Sequence, residues 1–305
     1  MPVAQTVPSK AREAILSWHA ANGRRLAFRG SRDPYAILVS EAMSQQTQAA
    51  RAAEHWQRFI ARFPTVVALA AASPADVQRE WRGLGYNRRA LALWRAARMI
   101  ESEYGGKVPD KVEALEILPG VGPYTARAVA AIAFGQPVGA VDVNTRRVLG
   151  RMLFGRGDSI GPKRMQGVAD ASVPAGRVGD WTHALMDIGA TLCRPVSPRC
   201  GECPARTWCR YAAEGVVGRR GRGHAKRAGR QAVSFPATNR WLRGRILDRL
   251  RAAHGDRWVM LDGPIGIHDP RRVATAAIAL ADEGLIEVAP RATGEGALRA
   301  RLTMS

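Results

Sequence analysis

The chain has 305 residues, of which 46% are hydrophobic and 6% aromatic, enough for one large folded domain or two to three smaller ones. It contains no run of about 18 apolar residues, so we expect no transmembrane helix, and collagen-like and fully disordered classes are excluded. Lysine and arginine number 46 against 26 acidic residues, for a net charge of +20. This surplus favours a polyanionic partner, above all nucleic acid, although an arginine-rich composition without a partner would give the same value.

Apolar patterns with a period of 3.6 residues predict a series of helices in the first 210 residues, separated by turn signals such as Gly105-Gly106. The predicted helices cover residues 9–22, 34–45, 48–63, 74–81, 86–104, 111–117, 123–134, 144–154 and 180–191. No series of strands alternates with these helices, so a doubly wound sheet is not expected. The sequence predicts an all-α fold for this part of the chain.

The composition changes after residue 214. Residues 215–238 are rich in glycine and carry six basic residues from Arg219 to Arg230, which predicts a flexible linker. This linker could lie along a phosphate backbone, or it could be a plain tether. Beyond it, the patterns at 238–255 and 270–288 predict two helices, followed by a short hairpin that ends at Leu302. We therefore predict a helical domain over 1–214, a linker over 215–238 and a small winged-helix-like module over 239–305.

All four cysteines lie in a stretch of seventeen residues: Cys193, Cys200, Cys203 and Cys209. A disulfide framework is a poor interpretation, because the chain is long and has no cysteine elsewhere. Four thiolates from one short loop suit a tetrahedral metal or an iron–sulfur cluster. Structural zinc usually takes two close C-x2-C pairs, and only one such pair occurs here. We favour the cluster, with zinc and unliganded thiols as the alternatives.

The segment LPGVGPYT, residues 118–125, connects two of the predicted helices. Gly120 and Gly122 permit positive φ and the close approach of another backbone, and Pro123 suits the first turn of the following helix. The free amides of such a turn beside a helix N-terminus can hold a phosphate oxygen. An ordinary turn is the alternative. The cysteine loop about 70 residues later makes the combination specific.

These motifs together resemble a known family. LPGVGPYT, AVDVNTRRV and the four-cysteine loop resemble the helix–hairpin–helix glycosylases of the endonuclease III superfamily. SEAMSQQTQ and GLGYNRRA resemble its MutY-type branch, the adenine DNA glycosylases. The resemblance covers about residues 12–212. It implies a two-lobed all-α domain, a 4Fe–4S cluster on the four cysteines, and excision of a flipped base from double-stranded DNA that carries a mispair or a damaged base.

Two carboxylates suit hydrolysis of a glycosidic bond. Glu41 shares a helix face with the apolar residues three and four positions before it. Partial burial there would raise its pKa and keep it protonated as a general acid, unless it turns toward solvent. Asp142 precedes a predicted helix and could cap it. In the resembling family the matching glutamate is the acid, and an aspartate near the cationic sugar stabilises its charge, a role that we assign to Asp142.

Tyr124 stands where bifunctional relatives carry a catalytic lysine, so the resemblance implies hydrolysis without a Schiff base. Tyrosine occurs there in some adenine glycosylases and in a thymine mismatch glycosylase, so it does not separate the two. Packing over the hairpin is its alternative role. We expect Tyr124 and Asn144 to support the two carboxylates.

A departing base leaves a gap that other groups must fill. Gln46 and Tyr86 match the family positions that wedge into the duplex. Arg88, Arg89, Arg146 and Arg147 are expected phosphate contacts, together with the hairpin glycines Gly120 and Gly122. Helix packing for Tyr86 and a solvated surface for the polar residues are the alternatives.

The expected base pocket consists of Phe28, Arg29, Ser44 and His183. The MutY-type pattern usually has tryptophan at position 28, an apolar residue at 44 and, in some members, glutamate or glutamine at 183. A serine and a histidine would make the pocket more polar and could alter the base chosen, although His183 could also be a plain core or surface residue. Residues 239–305 do not resemble the β-rich domain with which many members read 8-oxoguanine.

We expect a monofunctional DNA glycosylase of base excision repair that removes adenine opposite 8-oxoguanine or guanine. Removal of thymine or uracil opposite guanine is the alternative within enzymes. A catalytically silent DNA-binding protein on the same scaffold and a redox iron–sulfur protein are the alternatives outside this class. We expect a monomer in the cytoplasm, associated with the nucleoid and without a membrane partner.

Overall fold

The computed structural model describes residues 6–155, 160–215, 234–253, 255–289 and 298–304. Most of these residues are helical. The helices are α1 (Ser9–Asn22), α2 (Pro34–Ser44), α3 (Ala49–Arg62), α4 (Val66–Ala71), α5 (Pro74–Glu80), α6 (Arg88–Tyr104), α7 (Val112–Ile117), α8 (Pro123–Phe134), α9 (Val143–Phe154), α10 (Pro162–Ala171), α11 (Val178–Thr191), α12 (Arg210–Ala213), α13 (Asn239–Ala252) and α14 (Pro270–Asp282). The strands are β1 (Val259–Met260), β2 (Ile286–Val288) and β3 (Arg299–Leu302). Among the residues that the structure describes, no helix is both long and apolar enough to span a membrane.

The helix boundaries follow from local capping chemistry. Side chains that precede a helix accept a hydrogen bond from a backbone N–H of its first turn, which satisfies a donor that the helix itself cannot pair. The residues with this role are Thr65, Ser73, Asp142, Thr238 and Asp269. Gly105 and Gly135 end α6 and α8 in the left-handed conformation, which glycine adopts without steric cost.

The predicted helices of the first 210 residues are confirmed, but two further helices were not predicted. The first, α4, has six residues, all of them apolar or alanine, so its sequence shows no amphipathic period. The second, α10, buries only Met165, Val168 and Ala169 and contains Gly167, a weak helix former. The mostly helical fold is nevertheless the one expected.

The first of two compact units comprises Met1–Glu41, Val108–Ile117 and Val121–Arg227. Its centre is α11, which packs against α1, α8 and α9. Trp181 and Ile188 of α11 are almost completely buried, together with Ile15 and Leu149 of the neighbouring helices. This burial of large apolar side chains supplies the main stabilising free energy of the unit.

The second unit comprises Ala42–Lys107, Leu118–Gly120 and Ala228–Ser305. Helix α6 packs against α4 and α5, and α13 packs against α5 and α14. The three strands form an antiparallel sheet in the order β1-β3-β2, with Val259 opposite Ala300 and Ile286 opposite Leu302. The amide of the buried Gln78 in α5 donates to the backbone oxygen of Leu285 at 2.9 Å, which joins α5 to the C-terminal module.

The C-terminal module departs from expectation in two places. The helix predicted over 270–288 ends at Asp282, because Gly284 has φ of 72° and turns the chain into β2. The short strand β1 was not predicted. The hairpin that ends at Leu302 is confirmed. The winged-helix-like designation and the domain boundaries remain predictions, and most of the expected linker, residues 216–233, lies outside the described residues.

Candidate active site and nucleic-acid interface

Glu41 lies near the end of α2, with Ile37 and Leu38 of the preceding turn only 2% exposed. It retains some accessible surface, but protein atoms surround its carboxyl group. Burial raises the pKa of Glu41 to about 7; the hydrogen bond from Tyr124 opposes this rise and the negative charge of Asp142 adds to it. The sequence-predicted acid therefore can hold a proton near neutral pH.

Asp142 is the N-cap residue of α9. One of its carboxylate oxygens accepts from the Thr145 backbone N–H at 2.6 Å, and the other accepts from the Asn144 side chain at 2.8 Å. Asn144 is itself held by Arg147, which donates to its side-chain oxygen at 2.7 Å. The capping interpretation of Asp142 is thus confirmed. It does not exclude catalysis, because the cap fixes an anion beside Glu41.

Tyr124 occupies the first turn of α8, immediately after the glycine hairpin. Burial and the neighbouring charges of Glu41 and Asp142 raise its pKa well above the usual value, so its hydroxyl stays protonated. The structure therefore brings together the predicted Glu41, Tyr124, Asp142 and Asn144 in the first unit. Their catalytic roles remain predictions.

A buried ion cluster beside these residues was missed by sequence reasoning. Asp187 of α11 has a fully buried side chain and accepts hydrogen bonds from both terminal nitrogens of Arg29, at 2.6 and 2.8 Å. Arg24 donates to the same carboxylate from its backbone N–H at 2.9 Å and from Nε at 2.6 Å. Burial alone would raise the pKa of Asp187, but these donors outweigh it and lower the pKa. The sequence did contain one signal of this cluster, because the charged Asp187 stands between Leu185 and Ile188, two apolar residues that are buried.

His183, one turn before Asp187, is a neutral side chain at physiological pH. Burial lowers its pKa to about 3, and the positive charges of Arg29 and His19 add to this effect. Phe28 and Arg29 lie in the short turn Ala27–Gly30. Arg29 and His183 are therefore neighbours, as the predicted pocket requires. Ser44, the last residue of α2, belongs to the second unit.

The four cysteines line one small pocket of the first unit. Arg151 of α9 donates to the Cys193 sulfur at 3.4 Å, and Arg147 donates to the Cys193 backbone oxygen at 2.6 Å. Within the described ranges, no three His, Cys, Asp or Glu side chains are spaced to hold a single metal ion. The cysteines thus share one pocket with cationic side chains.

The predicted duplex wedge, Gln46 and Tyr86, lies in the second unit. Both residues are exposed and have left-handed backbones, with φ of 54° and 45°. Arg89 joins their two loops: its guanidinium donates to the backbone oxygens of Ala42, Met43 and Gln45 on one loop and to those of Leu84 and Gly85 on the other. The half-buried side chain of Arg89 thus holds both left-handed turns.

The predicted phosphate contacts have distinct environments. Gly120 has φ of 79°, and a Cβ atom there would lie 2.7 Å from the Ala92 side chain, so only glycine fits. Gly122 is exposed and extended at the N-cap of α8. Arg88 pairs with Glu283 at 2.9 Å but keeps a 70% exposed side chain. Arg146 donates to the backbone oxygen of Ile160.

A family model described as "HhH-GPD superfamily base excision DNA repair protein" matches residues 39–169, a range that includes Glu41, the glycine hairpin and Asp142. Two solved structures share the fold. The structure of a thermostable thymine-DNA glycosylase has a TM-score of 0.63 and 31% identity, covering 67% of this chain and 98% of its own. A trapped endonuclease III–DNA covalent intermediate has a TM-score of 0.58 and 25% identity, covering 68% and 95%. The fold and site define the class as a helix–hairpin–helix DNA glycosylase.

Relatives narrow this class. The adenine DNA glycosylase of Mycobacterium tuberculosis H37Rv is 43% identical over 243 residues, 78% of either chain. That of Mycolicibacterium smegmatis is 38% identical over 275 residues, 90% of this chain and 91% of its own. The human enzyme of the same name is 40% identical over 211 residues, 65% of this chain and 39% of its own. The chain therefore belongs to the MutY-type branch of the HhH-GPD superfamily, the family of the adenine DNA glycosylases.

Proposed function

We propose that this protein is a monofunctional DNA glycosylase that removes adenine mispaired with 8-oxoguanine or guanine. The observation that carries the proposal is the placement of Glu41: its carboxyl group is surrounded by protein atoms, is hydrogen-bonded to Tyr124 and lies near the Asp142 carboxylate, and burial raises its pKa to about 7. Departure of a base from a deoxyribose is helped by an acid that protonates the base and by an anion that stabilises the sugar cation.

In the proposed reaction, Glu41 donates a proton to the adenine as the glycosidic bond breaks. The sugar then carries positive charge, and the Asp142 carboxylate stabilises it. Glu41, now ionised, can accept a proton from the attacking water. No lysine stands at position 124, so the bond to the base is exchanged for a bond to water and no Schiff base forms there.

Extrusion of the adenine is assigned to the second unit. Gln46 and Tyr86 would enter the space that the adenine leaves, and their exposure is compatible with this role. Arg88, Arg146, Gly120 and Gly122 would contact phosphates. Phe28, Arg29 and His183 of the first unit would contact the extruded base, with a neutral imidazole where some relatives carry glutamate or glutamine. Ser44 stays a predicted pocket residue.

We assign a 4Fe–4S cluster to Cys193, Cys200, Cys203 and Cys209. The four cysteines line one pocket, and four thiolates are the ligand set that such a cluster takes. When bound, the cluster would order the basic loop around it. Iron and inorganic sulfide in equal amounts in the purified protein would support this assignment, and zinc alone would contradict it.

The proposal also covers the domain organisation, the oligomeric state and the location of the protein. We propose a glycosylase domain over 1–214, a basic linker over 215–238 and a C-terminal module over 239–305. The protein would act as a monomer in the cytoplasm, on nucleoid DNA.

Removal of thymine or uracil opposite guanine is the second candidate. The thymine/uracil-DNA glycosylase of Methanothermobacter thermautotrophicus is 32% identical over 200 residues, and Ser44 and His183 give the expected pocket a more polar character than the usual pattern. Duplexes containing A:8-oxoguanine, A:G, T:G and U:G pairs separate the two candidates, with a matched A:T duplex as control. We expect alkali-sensitive cleavage of the adenine strand only in the first two duplexes. Cleavage confined to T:G and U:G would establish the second candidate.

A further inference from the structure

A groove of about 750 Å³ lies within the second unit, between the loop that carries Tyr86 and helix α13 of the C-terminal module. Its lining includes both wedge residues, Gln46 and Tyr86. Six arginines also line it, against two carboxylates, Asp248 and Glu283. The arginines are Arg88, Arg89, Arg240, Arg243, Arg245 and Arg251. The groove therefore has a strongly cationic lining.

Five of these arginines already have partners. Glu283 pairs with Arg88 and Arg243, and Asp248 pairs with Arg245 and Arg251. Arg89 is occupied by the backbone oxygens of the wedge loops.

Arg240 differs from the other five. Among the described residues, no carboxylate lies within ion-pair distance of it. It is exposed, and its guanidinium carbon lies 4.9 Å from the centre of the Tyr86 ring. Its positive charge is therefore available to an external anion.

We propose that Arg240 contacts the DNA phosphate backbone beside the mispair, so that α13 is part of the DNA-binding surface. The inference rests on the proposed function, because it takes Tyr86 as the residue that enters the duplex. A side chain stacked on an inserted ring must itself lie next to the duplex. An arginine without an acidic partner at that position favours a phosphate oxygen.

The test measures binding of the full-length protein to a duplex with a stable abasic analogue opposite guanine, which the enzyme cannot process. Arg240→Ala is expected to raise Kd about tenfold and to lower the slope of log K against log salt by about 0.9, the value of one phosphate contact. Arg240→Gln is expected to behave in the same way. The matched control is Arg249→Ala, an exposed arginine of the same helix outside the groove, with less than a twofold effect expected.

The same measurement in a Tyr86→Ala background separates a phosphate contact from an effect on the ring. If Arg240 contacts the backbone, its removal still lowers the salt slope in that background. If the loss disappears there, Arg240 acts only on the Tyr86 ring and the inference is wrong. Equal losses in Arg240→Ala and Arg249→Ala, or no loss in either, would also overturn it.

Excision by the unaltered protein is measured in parallel on an A:8-oxoguanine duplex. Absence of excision with a specific Arg240 binding defect would refute only the proposed function. Normal excision with unchanged binding of the Arg240 variants would refute only the present inference.

Discussion

The hydroxyl group of Tyr124 and the carboxyl group of Glu41 form a hydrogen bond that links their ionisation: it lowers the pKa of Glu41 and raises that of Tyr124. Burial still dominates at Glu41, whose pKa remains at about 7. Tyr124 thus keeps the pKa of Glu41 lower than burial alone would make it.

The first prediction concerns turnover. Glu41→Gln removes the transferable proton but keeps the shape of the side chain, so single-turnover adenine excision should fall at least about 100-fold. DNA affinity should change less than about threefold. Rapid quench on an A:8-oxoguanine duplex and anisotropy on the abasic duplex measure the two quantities. Excision at the wild-type rate would remove Glu41 from the mechanism.

The second prediction is a pH profile. Glu41 must be protonated to act as an acid, so the single-turnover rate should decline as pH rises through about 7. Tyr124→Phe removes a hydrogen bond that favours the ionised carboxyl, and this variant should shift the decline to higher pH. A decline that stays at the same pH in Tyr124→Phe would contradict the linkage.

The third prediction concerns stability. The pKa of Glu41 is about 7 when folded and near 4.5 when unfolded, so its contribution to stability is present below pH 4.5 and is lost as pH rises through 7. Glu41→Gln should therefore raise the free energy of unfolding at pH 8 by about 3 kcal/mol, with a smaller gain at pH 5. Urea denaturation at the two pH values tests this. An equal effect at both would show that burial of the charge is not the cause.

A fourth prediction separates the two roles of Asp142. Asparagine is also a good N-cap, so Asp142→Asn should change the free energy of unfolding by less than about 1 kcal/mol relative to the unaltered protein. Because the variant lacks the negative charge, its excision rate should fall about 100-fold or more. Asp142→Ala should lose the cap as well and destabilise the fold by about 1 kcal/mol beyond Asp142→Asn. If the excision rate of the two variants falls only in proportion to their loss of folding stability, Asp142 has a purely structural role.

The fifth prediction concerns the ion cluster at Asp187. Asp187→Asn leaves two arginines without a counter-charge at a buried site and should lower the free energy of unfolding by about 3–5 kcal/mol. Asp180→Asn on the same helix is the control: its pair with Arg177 is exposed, so we expect a change below about 1 kcal/mol. Equal losses would mean that the buried site has no special role.

Local signals in the sequence predict much of this molecule, because helix period, capping residues and turn glycines act over a few residues. They place Asp142 at the start of a helix and end another at Gly105. These signals fail where a helix and a strand would show the same apolar pattern. The segment that ends at Val288 continues the apolar period of α14, yet it forms the strand β2 after Gly284.

Contacts between segments that are distant in the chain could not be predicted from local patterns in the sequence. Asp187 meets Arg24 and Arg29 from positions about 160 residues apart, and no spacing rule predicts such a contact. The proximity of Glu41 and Asp142, about 100 residues apart, followed only from the family resemblance. The stacking of Arg240 on Tyr86 had no local signal either.

The hydrogen bonds of Arg89 have a consequence for the proposed entry of Gln46 and Tyr86 into the duplex. Because one guanidinium fixes the turns at Gln46 and Tyr86 together, neither tip can be repositioned without disturbing the other. A lysine, with a single nitrogen, could not span both loops. The entropy of ordering these two turns is lost during folding, so in the proposed reaction the two residues that would enter the duplex are held in place before DNA binds.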